Sequence, residues 1–313
     1  MSDGSSAPGP GGRADRHVWV DGELLPAASR HLSAFDRGFQ LGDGVFETLR
    51  ARGGRPTELD EHLQRLRRSA GGLDIELAAG TEARIAAGIS ALLEADRLGG
   101  PAGDASIRIT VSRGAVTARG LLPLERVEPT IVIQAWPVSP PPDDHLRAGL
   151  HVVASSVRRD PSNPLSSLKT TSRADYVFAR LEARRAGADD ALFLTTDGHL
   201  SEATSANVFI LRTAGGRAEL ATPGLDCAIL PGTTRTWLLG WAGSAGLTPV
   251  EAWLTPEDLA GAAEAFLCSS VAGVLPVTRY EGRPIGPGAP GPWTLRARAA
   301  REAFIRGEPV PDE

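Results

Sequence analysis

The chain has 313 residues and a formal net charge of −5 at pH 7, with 33 Lys and Arg residues against 38 Asp and Glu. That length accommodates two medium domains with sizeable cores, and the scattered basic residues form no stripe of the kind nucleic acid requires. Cys227 and Cys268 lie in apolar runs, too few for a disulfide framework and expected as buried free thiols, and no apolar run approaches the roughly 18 residues of a membrane span. Neither nucleic acid nor a membrane is expected as a partner.

Residues 1–16 are mostly Gly, Ser, Pro and Asp, without an apolar core or periodicity. They are expected to be a disordered tail and not a signal peptide, which makes the cytoplasm the default location. His17-Val18-Trp19-Val20 then alternates into Asp21-Gly22, and Val45 to Arg50 alternates into Arg52-Gly53-Gly54, two strand-and-hairpin signals. Leu63, Leu66, Ala70 and Leu73 recur at helical spacing over residues 59–73, and a second helix fits 81–97. Ser106–Ser112 alternates as a strand, and Thr130–Trp136 is apolar enough for a buried one. Prolines 137, 140, 141 and 142 can continue neither a helix nor a central strand. Residues 137–145 therefore read as a linker between a domain of residues 17–136 and another of 146–313. In the second half, strands are expected at 149–155, 191–195, 208–211 and 266–269. Helices fit 172–186, with Tyr176 on its packed side, and 234–245 and 293–306. The class is mixed α+β in both halves, without an internal repeat.

Lys169 is the only lysine of the chain. In so Arg-rich a sequence, a lysine that survives points to a need for the amine itself, because a guanidinium does not deprotonate and cannot form a Schiff base. Glu202 follows thirty-three positions later, in a segment read as a turn between two apolar strands. Leu230-Pro231-Gly232-Thr233-Thr234-Arg235 then opens a helix, where free backbone N–H groups and threonine hydroxyls suit a phosphate. Ser270, at a strand end, and Arg65, on the first helix, offer a further donor and a cation. An amine, a carboxylate and an anion cup are the partners that pyridoxal 5′-phosphate (PLP) needs at its aldehyde, ring nitrogen and phosphate. No nucleophile elbow, dinucleotide fingerprint, Walker loop or metal-ligand spacing competes with this reading.

In these residues the chain resembles the fold-type IV PLP enzymes: branched-chain aminotransferases, D-amino-acid aminotransferases and 4-amino-4-deoxychorismate lyases. The resemblance spans residues 17 to about 305. It rests on Asp36 to Thr48, Glu61-His62-x-x-Arg65-Leu66, Ser112-Arg113-Gly114, Leu168-Lys169-Thr170, Ser201-Glu202 with Asn207-Val208-Phe209, and Leu230-x-Gly232-Thr233-Thr234-Arg235. It implies a two-domain fold with PLP in the interdomain cleft. Lys169 would carry the Schiff base and Glu202 would pair the pyridine nitrogen. Arg65, Gly232, Thr233, Thr234 and Ser270 would hold the phosphate, with Leu230 packed under the ring. It further implies a homodimer in which the partner chain completes each substrate pocket.

Substrate choice is where such enzymes divide. Phe46 matches a pocket-lining aromatic that is a tyrosine in D-amino-acid aminotransferases, and it lacks the hydroxyl that helps bind the substrate carboxylate. Arg119, in the loop after Ser112, resembles an arginine that grips a carboxylate; a solvated loop arginine is the alternative. Arg173 and Ala174 stand where branched-chain enzymes carry Asn-Tyr, and Lys169-Thr-Thr-Ser is closer to lyase-like members. The expected activity is transfer of an amino group between an amino acid, of D- or branched-chain type, and a 2-oxo acid. The alternative is lysis of 4-amino-4-deoxychorismate to 4-aminobenzoate and pyruvate, and a remote one is a non-catalytic PLP-binding protein.

Overall fold

The computed structural model describes residues 16–122, 126–139 and 141–311. The expected tail, Arg16 apart, lies outside the described residues.

The alternating segments of the first half build one antiparallel sheet. Strands β1 (His17–Val20) and β2 (Glu23–Pro26) pair across Asp21 and Gly22, whose positive φ angles of 51° and 119° suit a turn that follows strand twist. A short helix α1 (Arg37–Leu41) precedes β3 (Gly44–Arg52) and its two-residue partner β4 (Arg55–Pro56). Helices α2 (Leu59–Gly71) and α3 (Thr81–Ala95) follow, then β5 (Asp104–Ser112) and β6 (Thr130–Pro137). The six strands lie in the order β2-β1-β6-β5-β3-β4. Because side chains alternate along a strand, Val45, Leu49, Ile107 and Ile109 point to one face. There they form a core with Leu63 and Leu66 of α2 and Ile85 and Ile89 of α3. Phe46, Thr48, Ser106 and Arg108 are left on the other face.

The proline-rich segment is shorter than its composition suggests, since a helix α4 (Asp143–Arg147) forms inside its expected end. Beyond it are β7 (Leu150–Arg159), α5 (Ala174–Arg185), β8 (Asp190–Thr195), β9 (Leu200–Ala203), β10 (Asn207–Ala214) and β11 (Arg217–Pro223). Then come α6 (Thr233–Ser244), β12 (Thr248–Ala252), α7 (Pro256–Ala260), β13 (Glu264–Ser269), β14 (Gly273–Tyr280), β15 (Arg283–Pro284) and α8 (Pro292–Arg306). A nine-stranded mixed sheet runs β12-β11-β10-β13-β14-β7-β8-β9, with β15 beside β14. Its faces are covered separately: α6 and α8 pack Leu238, Trp241, Ala297 and Ala300 on Phe209 and Phe266, while α5 packs Ala179 and Ala183 on Val153 and Phe193. The architecture is two-domain α+β. Among the described residues, no helix is long and apolar enough to cross a membrane.

One expectation is corrected. The segment holding Glu202 is not a turn but strand β9, all four of whose residues are buried and which pairs antiparallel with β8. Its small polar residues mask the pattern, because Ser201 and Glu202 satisfy their side chains inside the protein instead of facing water.

Candidate active site

Lys169 lies in the connection from β7 to α5, which runs against the beginning of β3. Phe46 N donates to Lys169 O at 2.9 Å and Thr171 N to Gly44 O at 2.8 Å, while Lys169 N donates to Ser69 Oγ at 3.1 Å. Three hydrogen bonds thus tie this backbone to the first sheet and to α2, which fixes the origin of the side chain. Its Nζ stands 4.8 Å from the centre of the Phe46 ring. Burial, with the nearby charges of Arg65 and Arg173, pushes the amine down to about 8 against the opposing pull of Glu47 and Glu202. An amine so poised is partly neutral near physiological pH, the form that attacks a carbonyl.

Glu202 reaches the same cavity from β9 and is 5% exposed. Leu230 N donates to its Oε2 at 2.9 Å, Tyr176 Oη donates to Oε1 at 3.1 Å, and Arg159 Nη2 stands 3.6 Å from Oε1. Arg159 also donates to Tyr176 Oη and to the carbonyl of Ala228. The phenol is pushed up to about 12, by burial first and then by Glu202. It therefore stays protonated and donates to the carboxylate. An ionised carboxylate has about four acceptor sites, so Glu202 keeps capacity for a further N–H donor.

The anion cup is the N-terminus of α6. Gly232 caps this 12-residue helix without a side-chain bond, leaving the first-turn N–H groups free. Asn207 Nδ2 donates to Leu230 O at 3.1 Å, and a Cβ at Gly232 would stand 2.1 Å from the Asn207 side-chain oxygen, so a larger residue here would displace that amide. Thr233 Oγ1 lies 3.2 Å from Ser270 Oγ and 3.4 Å from His62 Nε2. Thr234 Oγ1 accepts from Arg301 Nη2 at 3.1 Å, which leaves its own proton to donate elsewhere.

Arg65 is oriented from beneath. Its Nε and Nη2 donate to the two oxygens of Glu47, each at 2.7 Å, and Nη1 donates to Pro231 O at 2.8 Å. A guanidinium carries five N–H bonds, so two remain for an anion. His62, one turn earlier on α2, reaches Glu47 Oε2 with Nδ1 at 2.7 Å. Burial pushes the Glu47 carboxyl up, but bonds from Arg65 and His62 outweigh it and hold the group at about 2. The same alternation that aims Phe46 and Thr48 at the cavity aims Glu47 at α2.

These groups line one cavity of about 570 Å³, within the roughly 300–1,000 Å³ of small-molecule sites. Lys169, Glu202, Arg65, Leu230, Gly232, Thr233, Thr234, Ser270 and Phe46 all border it. Arg119 does not: it is exposed in the loop after β5. Arg37 of α1 holds that loop by donating to Gly120 O at 2.9 Å. The cavity also gathers Arg108, Arg173 and Tyr176, to which sequence reasoning gave no site role, just as it gave none to Glu47, His62, Arg159 and Arg301. His62 and Arg65 do share a helix face by their i,i+3 spacing, a signal that was available; the pairing with Glu47 depends on how α2 packs on β3. The donor set fits PLP. Cationic and hydroxyl donors gather at the cup, and an anchored carboxylate and a depressed amine border the same space.

Comparison with known proteins agrees. The model of the family "Amino-transferase class IV" matches residues 44–280. A putative branched-chain-amino-acid aminotransferase of Methanocaldococcus jannaschii is 34% identical over 269 residues, covering 86% of this chain and 89% of that protein. The aminodeoxychorismate lyase of Bacillus subtilis is 30% identical over 264 residues, covering 84% and 86%. The branched-chain amino acid aminotransferase of Escherichia coli superimposes with a TM-score of 0.86 at 25% identity, covering 94% of this chain and 96% of that one. Another branched-chain aminotransferase, solved with pyridoxamine 5′-phosphate, superimposes with a TM-score of 0.84 at 26% identity, covering 94% and 95%. The chain belongs to the class IV aminotransferases, a family of PLP-dependent enzymes.

Proposed function

We propose that this chain is a transaminase that moves an amino group between an amino acid and a 2-oxo acid, with Lys169 as its catalytic base and covalent anchor. One observation carries the reading: a single cavity joins the depressed amine of Lys169, the anchored carboxylate of Glu202 and the cup at the start of α6. Bound there, PLP supplies an electrophilic carbon and a ring that accepts electrons. The neutral Lys169 Nζ would be the nucleophile toward the cofactor's aldehyde, and the same amine would take the proton from the substrate's Cα and deliver it to the cofactor's C4′ carbon. Glu202 holds a proton on the pyridine nitrogen, and Leu230 N, Tyr176 and Arg159 keep its carboxylate aimed. Arg65, Thr233, Thr234, Ser270 and the N–H groups after Gly232 take the phosphate, and Leu230 packs under the ring. Phe46 walls the substrate side.

The functional unit we infer is a homodimer. Phe39, Leu121 and Leu122 are 77%, 81% and 80% exposed beside the Arg119 loop, an apolar surface of the kind that a protein partner covers. A partner chain on that surface would meet Arg119, whose proposed role is to grip a substrate carboxylate in the assembled pocket.

A second reading, lysis of 4-amino-4-deoxychorismate, draws on the likeness to the Bacillus subtilis lyase. The test separates the two. Holoenzyme mixed with an amino donor alone should pass from the aldehyde to the amine form of the cofactor, followed by its visible spectrum, and release one equivalent of 2-oxo acid. A holoenzyme that never accumulates the amine form with any donor, yet yields 4-aminobenzoate from aminodeoxychorismate, would establish the lyase instead.

A further inference from the structure

Arg301 of α8 is fully buried. Its Nη1 and Nη2 donate to the two oxygens of Glu58 at 3.1 and 2.5 Å, and Nη2 also donates to Thr234 Oγ1 at 3.1 Å. The guanidinium lies 5.2 Å from the centre of the Trp237 ring and 5.1 Å from that of Phe304. Its Nε has no hydrogen-bond partner among the described residues. Arg235, the residue after Thr234, is also buried but spends its guanidinium elsewhere, donating to Pro223 O at 2.8 Å and to Glu251 at 2.6 Å. A buried ion pair adds little stability over an apolar pair of similar volume, and a buried donor left unbonded costs more. Stability alone therefore does not account for Arg301.

Its two partners belong to the two helices that face the anion cup. Thr234 lies in the first turn of α6, and Glu58 is the residue before α2, the helix that carries Arg65. Glu58 has a left-handed φ of 53°, which a non-glycine residue adopts at a cost, and its side chain makes no capping bond to α2. The carboxylate crosses to α8 instead. His62 N donates to Glu58 O at 3.0 Å, so α2 starts from the residue that Arg301 holds. Two further contacts tie α8 to the first sheet: Arg50 Nη1 donates to Glu302 Oε1 at 3.0 Å and Arg55 Nη2 to Arg306 O at 3.3 Å. We propose that Arg301 is a positioning residue for the cofactor's phosphate: its fork keeps the Thr234 hydroxyl free to donate and, through Glu58, sets where α2 begins and so where Arg65 faces the cup. The inference rests on the proposed placement of the phosphate at the start of α6, and its test separates the two.

The measurement is equilibrium binding of PLP, and of pyridoxal, which lacks the phosphate, to the apoenzyme, each followed by its visible absorption. The parent should prefer PLP by about a hundredfold or more, as two or more charge-assisted hydrogen bonds require. Arg301→Met should bind PLP about tenfold more weakly while its affinity for pyridoxal stays within about twofold. That variant strands the Glu58 carboxylate, so the double variant Arg301→Met with Glu58→Leu, an apolar pair in place of the ionic one, is measured beside it and should show the same selective loss. A loss shared equally by PLP and pyridoxal marks Arg301 as a purely structural residue and overturns the proposal, as does unchanged binding of both. Should the single variant not fold, the double variant decides; failure of both to fold makes the pair a folding requirement and overturns the proposal too. A parent that binds PLP no better than pyridoxal removes the phosphate cup itself. A parent preference that the folded variants keep in full removes only the role of Arg301.

Discussion

The two ends of the cavity treat positive charge in opposite ways. At the α6 end, Arg65 is locked to Glu47 by two bonds of 2.7 Å and His62 reinforces the same carboxylate, so the charge is oriented before any anion arrives. At the Phe46 end, Arg108 and Arg173 have no carboxylate among the described residues. A resident cofactor is served by donors whose direction is fixed by their own partners, because the ordering cost is met once, during folding. The Lys169 amine feels both ends, since the charges of Arg65 and Arg173 each lower its pKa.

The largest effect comes from removing that amine. Lys169→Ala should abolish the visible absorption of bound cofactor and cut turnover on the order of 10²–10⁴-fold from lost proton transfer alone; a variant retaining both leaves the two ends with nothing to join. Next, Glu47→Ala breaks the locked end. It strands the buried Arg65 guanidinium, for which a loss of roughly 3–5 kcal/mol is expected in denaturant unfolding, with weaker PLP binding. An unchanged midpoint and affinity would show that Arg65 needs no support. The pH dependence of this lock has a definite sign. The folded Glu47 carboxyl is lowered from 4.5 to about 2, so its contribution is complete above about pH 4.5 and is lost as pH falls toward 2.

A smaller effect probes the amine itself. Capture of PLP by the apoprotein should quicken about tenfold between pH 7 and 9 and then level, as a group titrating at about 8 requires; an unshifted lysine at 10.5 would give about a hundredfold over that interval. Smallest is Tyr176→Phe, which removes one of the donors holding Glu202. A loss of about 1 kcal/mol in PLP affinity is expected. No change there would assign the orientation of Glu202 to Leu230 N and Arg159 alone.

Much of this site can be read before folding, and the rest cannot for identifiable reasons. A lone lysine among arginines stands out by chemistry, and Gly232-Thr233-Thr234 by the local signature of a helix start, neither of which needs tertiary context. Phe46 and Arg108 each lie on a visibly alternating strand. That they share a face follows only from the register Phe46↔Thr110 and Thr48↔Arg108, which is a long-range pairing. Ser201 and Glu202 look solvated in sequence and so suggest a turn; only the partners Tyr176, Arg159 and Leu230 N reveal why a short polar strand can be buried. The spacing of Tyr176 speaks for helix packing alone. It does meet Phe193 edge-on, with ring centres 5.0 Å apart, but its hydroxyl serves Glu202. Arg119, singled out by likeness alone, lies outside the cavity of its own chain.

The most direct test of the account is where the cofactor attaches. Holoenzyme treated with borohydride, digested and analysed by mass spectrometry should yield one pyridoxyl-bearing peptide, with the group on the ε-nitrogen of residue 169. A modification confined to the chain's terminal amine, or a reduced holoenzyme in which the Lys169 peptide is recovered unmodified, would contradict it.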